Sequence, residues 1–316
     1  MRLSAVDCLR RGVKNLSANW ELVLLQWLQS LLVPFLLLLG LAAPVAILAG
    51  PSLLEGRRMP SPGQMLSWIA ETPALLLLSL LATLALWLLA YVVYCYFQAG
   101  TYGVLWTADR QALPGAPRSS LLFRTFSVRD FFGWGGRYVG RYLGFSLLFG
   151  LLVALTVGAV GLWIALLVRG EGQWGGGAAL GIGCGGIFPV AFLVLVLSFW
   201  FSVAQADLAR EGSGVWSASR LGLTVLGRRL GAVILLFFLF LCAGAALAFA
   251  FVPLSIVVDL LLTDAPAARA VAQLLLLLAQ SLPSSLLAVA LGAALVALVR
   301  SEVQLQMRKR PEVQTA

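Results

Sequence analysis

The sequence contains no histidine and four cysteines, and both scarcities limit its chemistry. The cysteines stand far apart and form no Cys-x-x-Cys motif, so the usual ligands of zinc and haem are missing. Histidine-based acid–base catalysis is excluded for the same reason. We therefore predict no metal and no cofactor. Small apolar packing is the predicted role of the four cysteines, Cys8, Cys95, Cys184 and Cys242.

Charged residues are also scarce, at 11% of the chain against about a quarter in soluble domains. The acidic residues lie almost entirely at the ends of apolar runs, so no constellation of acids, bases and nucleophiles is recognisable. We predict that the protein is not an enzyme. Transport coupled to protons or ions is disfavoured too, because it needs ionisable groups within the membrane.

Long apolar runs dominate what is present: 61% of the residues are hydrophobic, and the mean hydropathy is +0.96. A bilayer core roughly 30 Å thick requires about 20 apolar residues per helix. Six runs meet this length, and they are continuous rather than alternating, which predicts helices. The predicted fold is all-α: a polytopic membrane helical bundle with six transmembrane helices, forming one domain over residues 1–316. The spans are predicted at about 22–49, 74–98, 138–168, 178–206, 230–258 and 270–299.

The basic residues separate the two sides of the membrane. Of the 22 Lys and Arg residues, all but Arg57, Arg58, Arg169 and Arg269 fall at the termini or in the connections after the second and fourth spans. The positive-inside bias therefore predicts that both termini are cytoplasmic, in a multi-pass protein of the bacterial cytoplasmic (inner) membrane. The first run is too long for a signal-peptide core, so we expect it to be retained.

One sequence unit recurs at the heads of spans, because residues 222–231 align without gaps on residues 135–144. The two segments share Gly222/Gly135, Gly227/Gly140, Arg228/Arg141, Leu230/Leu143 and Gly231/Gly144. A fainter copy at the N-terminus keeps Gly12, Leu16 and Trp20 in register. Each copy predicts a short, basic, amphipathic helix on the cytoplasmic membrane surface, followed by a spanning helix. In the first copy the apolar stripe consists of Val6, Leu9, Val13 and Leu16.

The basic residues of these units are the candidate functional residues. We predict that they contact anionic lipid headgroups or a membrane-protein partner. They are Arg10, Arg11, Lys14, Arg137, Arg141, Arg220, Arg228 and Arg229. We predict no nucleic-acid partner, because the basic residues are spread over four juxtamembrane segments and interleaved with apolar ones. The alternative is that the basic bias serves topology alone.

Glycine recurs every four residues at the heads of two spans. The positions are Gly136, Gly140 and Gly144 in the third, and Gly177, Gly181 and Gly185 in the fourth. Small-residue faces let helix backbones approach closely in lipid. We expect these faces to pack within one monomer, with a homodimer interface as the alternative.

The stretch from Phe201 to Leu230 consists of the end of a predicted spanning helix, a polar turn and a Gly/Arg segment that leads into the next predicted span. Its marked residues are Asp207, Glu211-Gly212, the segment from Val215 to Leu221, and Leu226-Gly227-Arg228-Arg229. In this pattern and in its six-span layout, the chain resembles poorly characterised bacterial six-helix integral membrane proteins related to the membrane domain of glycerophosphodiester phosphodiesterases. The resemblance implies a membrane-embedded helical module. No catalytic residue is carried over, because no soluble phosphodiesterase domain is recognisable.

Together these features predict a non-catalytic integral membrane protein that organises lipids or a partner through its basic cytoplasmic helices. The alternative is a transporter or carrier of a lipid or apolar solute. That alternative predicts a cavity around Pro34, Gln280 and Pro283, where prolines and polar side chains interrupt apolar runs. The competing interpretation is that the polar side chains near Pro283 bond neighbouring helices.

Overall fold

The computed structural model describes residues 3–54, 73–112, 120–174 and 176–309, and these residues form an all-helical structure. Within these ranges lie the helices α1 (Ala5–Ala18), α2 (Glu21–Leu54), α3 (Pro73–Gln111), α4 (Val128–Trp174), α5 (Gly176–Leu208), α6 (Val215–Leu261) and α7 (Pro266–Lys309). A 3₁₀ turn at Ser120–Phe123 precedes α4. The predicted all-α fold class is confirmed.

Helices α2 to α7 each contain a segment long and apolar enough to cross a membrane, which confirms the six-span prediction. The segments are Glu21–Pro44, Ala74–Gln111, Val128–Trp163, Pro189–Leu208, Val215–Leu261 and Pro266–Met307. Helices α4 and α6 have 47 residues each. At 1.5 Å per residue the unbroken α4 is about 70 Å long, more than twice a bilayer core of roughly 30 Å. Both helices begin before and end after the predicted spans 138–168 and 230–258.

The three repeated units have three different backbone forms. In the first, α1 ends at Asn19 (φ −122°), whose N–H bonds back to the carbonyl of Asn15, and α2 begins at Glu21. In the second, α4 runs unbroken through Arg141, so the prediction of a separate interfacial helix is wrong there. In the third, two helices meet at the non-helical residue Arg229 (φ −135°, ψ 22°), so a short helix from Val215 precedes the longer helix that ends at Leu261. A separate helix before the span therefore forms in the first and third units, and the prediction is wrong in the second.

The buried core lies at one end of the bundle, which we call the basic end. This end comprises α1, the last turns of α3, α5 and α7, and the first turns of α4 and α6. Tyr138 and Tyr142 of α4 are fully buried there. Because they stand four residues apart on one helix face, their packing favours an unbroken α4. Towards the other end apolar side chains are exposed, as at Leu84, Leu155 and Leu241, as expected of surfaces that contact lipid tails.

Helix α1 enters this core by a face that differs from its predicted apolar stripe. The buried face consists of Ala5, Cys8, Gly12, Asn15, Leu16 and Ala18. Val6 and Val13 of the stripe are exposed. Burial raises the pKa of the Cys8 thiol to about 12. The small and polar side chains therefore make the protein contacts, and the two valines are left for lipid.

A buried asparagine ties the α1–α2 junction to the segment before α4. The Asn19 side-chain amide donates to the carbonyl of Phe123 (2.7 Å). Its carbonyl oxygen accepts from the backbone N–H groups of Thr125 (3.0 Å) and Phe126 (2.9 Å). Asn19 thereby satisfies buried backbone groups of a segment that has no regular secondary structure.

Gly12 marks a close approach of α1 to α7. A Cβ added at Gly12 would lie 2.7 Å from the backbone nitrogen and 2.9 Å from the Cα of Ala294. We predict that Gly12→Ala lowers the thermal unfolding midpoint in detergent. The expected loss is about 1–3 kcal/mol of unfolding free energy, because two helix backbones must separate.

The matched control for this substitution is Gly150→Ala in α4. A Cβ at Gly150 meets nothing within 4 Å, and alanine is the better helix former. Its midpoint should equal or exceed that of the wild type. If Gly12→Ala matched the wild type as well, the close packing of α1 on α7 would be contradicted.

Candidate functional site

All eight candidate residues lie at the basic end, but the structure divides them into two groups. One group donates to acceptors inside the protein: Arg11, Arg141, Arg228 and Arg229. The other makes no ion pair among the residues described: Arg10, Lys14, Arg137 and Arg220. The first group stabilises the fold. The second group supplies positively charged side chains that could contact a ligand.

A buried ion-pair cluster centres on Asp109, near the end of α3. Its carboxylate is 2% exposed and accepts from the guanidinium groups of Arg11 and Arg300, the latter at 2.7 Å. Arg11 also donates to the carbonyls of Asp109 (3.0 Å) and Ala112 (2.7 Å). Arg300 donates to the carbonyl of Arg110 (3.3 Å). Carbonyls at a helix C-terminus lack helical partners and carry the negative end of the helix dipole, so both arginines stabilise the end of α3.

Two further arginines hold the start of α6. Arg228 donates to the carboxylate of Glu302 in α7 (3.2 Å), which is 3% exposed. Arg229, at the kink, donates twice to the carbonyl of Leu3 (2.9 and 3.1 Å). The kink is therefore tied to the chain just before α1.

The exposed arginines stand beside aromatic rings. The guanidinium carbon of Arg220 lies 5.7 Å from the ring centroid of Trp216, which is 65% exposed. Arg137 lies 5.7 Å from the ring centroid of Tyr138. Both distances fall within the range of cation–π attraction. An exposed Trp beside Arg is typical of the membrane–water interface.

A groove of about 700 Å³ lies at the start of α6. It is lined by Arg210, Gly214, Val215, Trp216, Ser217, Arg220, Leu221, Thr224 and Gln306. The lining contains two arginines and two hydroxyl groups but no acidic residue. The positive end of the α6 dipole reinforces the arginines. The N–H of Gly214 is capped by the Ser217 hydroxyl (2.7 Å), so an anion would be bound through side chains.

Arg210 is held in this groove by a buried carboxylate. The fully buried Asp207 accepts from Arg210 at 2.7 and 3.2 Å and from the Ser213 hydroxyl at 2.7 Å. The carbonyl of Arg210 accepts from Arg141 (3.2 Å). At Gly212 the turn adopts φ 77°, which glycine tolerates at no steric cost. These bonds fix the α5–α6 turn, which forms one wall of the groove.

Arg137 lines a second groove, of about 430 Å³, between α3 and α4. Asp130, Trp134 and Thr107 line it with Arg137. Ser127 caps the start of α4: its hydroxyl accepts from the backbone N–H of Asp130 (3.0 Å) and donates to the Asp130 carboxylate (2.7 Å). The negative charge of Asp130 makes this groove less suited to an anion than the groove at Arg220.

The glycine faces pack differently from the prediction. A Cβ added at Gly136 or Gly140 meets nothing within 4 Å, so packing within the monomer is wrong for these two positions. The close contact is made by Gly135, whose Cβ would lie 2.9 Å from the ring of Tyr96. Gly144 is in ordinary contact with Val215 (3.5 Å). The face of Gly136 and Gly140 is therefore left for lipid or another chain. The surroundings of Gly177, Gly181 and Gly185 lie outside the described residues.

One polar side chain of the sixth span bonds a neighbouring helix. Trp27 Nε1 of α2 donates to the Ser281 hydroxyl of α7 at 2.7 Å. This bond agrees with the interpretation that polar side chains join helices here, but Ser284 and Ser285 donate to carbonyls of α7 itself (2.9 Å each). Pro34, Gln280 and Pro283 line neither groove at the basic end, and they do not line the cavity of about 180 Å³ between α2, α3, α5 and α7.

Sequence reasoning missed three residues of the groove: Arg210, Trp216 and Gln306. Trp216 carries a signal, because a Trp beside basic residues at the head of a span is typical of a membrane interface. Arg210 is recognisable as a basic residue of the same connection, but no local pattern reports its buried partner. Gln306 carries no signal, because the packing of α7 against α6 brings it to the groove.

Comparison of the chain with protein-family models, curated proteins and solved structures finds no match. The resemblance to the membrane domain of glycerophosphodiester phosphodiesterases therefore stays a prediction. Within the described part of the chain, no group of three or more His, Cys, Asp or Glu side chains is arranged to hold a metal ion.

The Asp109 cluster yields a prediction about stability. Asp109→Asn leaves Arg11 and Arg300 largely buried without a counter-charge. We expect a loss of about 3 kcal/mol of unfolding free energy. The variant should also expose Cys8, whose reaction with a maleimide, followed by peptide mass spectrometry, should become faster than in the wild type.

The control is Glu211→Gln, which breaks the exposed ion pair with Arg110. An exposed pair contributes about 1 kcal/mol or less, so this variant should keep the wild-type unfolding midpoint and Cys8 labelling rate. Equal behaviour of the two variants would show that the cluster does not hold α1 in place.

Proposed function

We propose that the protein is a non-catalytic integral membrane protein that binds anionic lipid headgroups at its basic end. The groove at Arg220 supports this proposal, because its lining combines two arginines with the start of a helix and contains no acidic residue. Arg220 makes no ion pair among the described residues, whereas Arg210 is paired with Asp207. A phosphate accepts charge-assisted hydrogen bonds from guanidinium groups.

The hydroxyls of Ser217 and Thr224 already donate to the carbonyls of Gly214 and Arg220 (2.9 Å each), so the arginines are the donors for a phosphate. Val215 and Leu221 supply an apolar wall for the glycerol and the first part of the chains.

The burial of the eight basic residues supports different roles for them: some hold the helices together, and others face the headgroups. Arg11 is 19% exposed and has acceptors within the protein, so its role is to hold α1. Arg220 is exposed and has Trp216 as its neighbour. Arg10, Lys14 and Arg137 act with Arg220 as the cationic surface that faces the headgroups. Arg141, Arg228 and Arg229 support that surface from within.

We place the basic end on the cytoplasmic side of a bacterial inner membrane. The positive-inside bias supports this orientation, because most of the arginines that the structure describes lie at the basic end. In this orientation the headgroups of anionic lipids in the cytoplasmic leaflet can contact the groove. The resemblance to the membrane domain of glycerophosphodiester phosphodiesterases is in keeping with a membrane module without catalysis.

The test is native mass spectrometry of the full chain, purified in detergent with phosphatidylglycerol added. Arg220→Gln should retain phosphatidylglycerol about fivefold less well, because one Arg near an anionic surface contributes about 1 kcal/mol. Trp216→Ala should weaken retention in the same direction. Phosphatidylcholine retention should stay unchanged in both variants, because its headgroup has no net charge.

Arg129→Gln is the matched control. Arg129 is exposed on α4, lies outside the groove and changes the net charge by the same amount. Its phosphatidylglycerol retention should equal that of the wild type. If both arginine variants lost lipid equally, the basic residues would act by charge alone and the groove would not be a site.

A further inference from the structure

A separate cavity of about 180 Å³ lies between α2, α3, α5 and α7 and is partly open at the surface, where its lining residue Ala288 is exposed. Its polar lining consists of Gln26, Tyr94, Gln98, Thr101, Tyr102, Ser202 and Gln205. All of these residues belong to segments long and apolar enough to span a membrane. Polar side chains are costly at such positions unless they have partners. Some of the seven have partners within the protein: the Ser202 hydroxyl donates to the carbonyl of Ser198 (2.9 Å), and Gln98 donates to Gln29 (3.5 Å).

Two buried polar atoms at this cavity have no partner. The hydroxyl of Thr101 makes no hydrogen bond within the described structure, and the side-chain nitrogen of Gln205, which lies near the Tyr94 hydroxyl, makes none of normal geometry there. Thr101 is 4% exposed and Gln205 is 5% exposed. An unpartnered buried polar group costs about 1–3 kcal/mol. Both residues line the cavity, so a molecule inside it is the available partner.

The walls of the cavity are fixed by bonds that leave these two groups free. The Tyr142 hydroxyl donates to the backbone carbonyl of Gln205 (2.8 Å), so this part of α5 is held while the side-chain nitrogen remains unused. On the opposite wall, Gly292 faces the ring of Tyr102, and a Cβ there would lie 3.5 Å from that ring. The cavity is thus a built feature of the packed end of the bundle.

The lining determines the chemistry of the occupant. It offers amide and hydroxyl groups, which both donate and accept, and it contains no Lys, Arg, Asp or Glu. A charged occupant would lose its hydration without gaining a counter-charge. The volume corresponds to roughly six water molecules at the density of the liquid. The rest of the lining is apolar and comes mainly from α7, with Val289, Leu291 and Leu295. An occupant must therefore be small and uncharged, with hydrogen-bonding groups on one side and an apolar part on the other.

We propose that this cavity is a binding site for a small uncharged solute that carries both donors and acceptors, of the amide class. Gln205 and Thr101 bind it through their unpartnered side-chain atoms, and Gln26 and Gln98 complete the polar side. This site is independent of the lipid groove, because the two share no lining residue.

Saturation-transfer-difference NMR tests the proposal, with the full chain in deuterated detergent and acetamide as the probe. Acetate is the matched control ligand, because it has the same size but carries a negative charge. Acetamide should give a saturation signal above that of empty micelles, and acetate should not. Gln205→Leu should reduce the acetamide signal at least fivefold.

Thr101→Val is the second variant, because it keeps the shape of the side chain and removes a hydroxyl that has no partner in the described structure. It should keep or raise the thermal unfolding midpoint while weakening the acetamide signal. Phosphatidylglycerol retention should be unchanged in both variants, which separates this site from the groove. Acetamide signals that are equal in the wild type and both variants, or an acetate signal as strong as that of acetamide, would overturn the proposal.

Discussion

The carboxylate of Asp109 is the point on which the basic end depends. It lies in a nearly dry environment, where an unpaired charge is far more costly than a paired one. Its two arginines come from α1 and α7, so three helices must meet before the charge is neutralised. The same arginines cover the free carbonyls at the end of α3. One buried anion therefore fixes the position of α1, and with it the exposed arginines beside it.

Packing is unequal along the bundle, and this inequality decides where binding sites can form. At the basic end the helices are held by aromatic side chains and hydrogen bonds, and grooves between them keep a defined shape. Towards the other end many apolar side chains are exposed and are complementary to lipid tails rather than to one another. The groove at Arg220 and the cavity at Gln205 both belong to the packed part. Gly136 and Gly140 leave a bare face on α4 nearby.

The six spans could be predicted from the sequence, because a bilayer imposes a length on apolar runs that few other structures share. The roles of individual arginines could not. Arg11 and Asp109 are 98 residues apart in the chain, and Arg300 and Asp109 are 191 apart. No local pattern reports such a pairing. The predicted break before the third span does not form, because tertiary contacts bury Tyr138 and Tyr142 on one continuous helix.

The last turn of α5 and the α5–α6 turn that follows it each contribute to one of the two proposed sites. Gln205 of α5 lines the cavity, and Arg210 of the turn lines the groove. Between them Asp207 holds Arg210 and Ser213, and the Tyr142 hydroxyl holds the carbonyl of Gln205. A solute in the cavity and a headgroup in the groove would thus both contact one rigid segment.

The cavity also bears on the alternative that the protein carries an apolar solute. The polar part of its lining matches a hydrogen-bonding solute, whereas an apolar solute would leave Thr101 and Gln205 without partners.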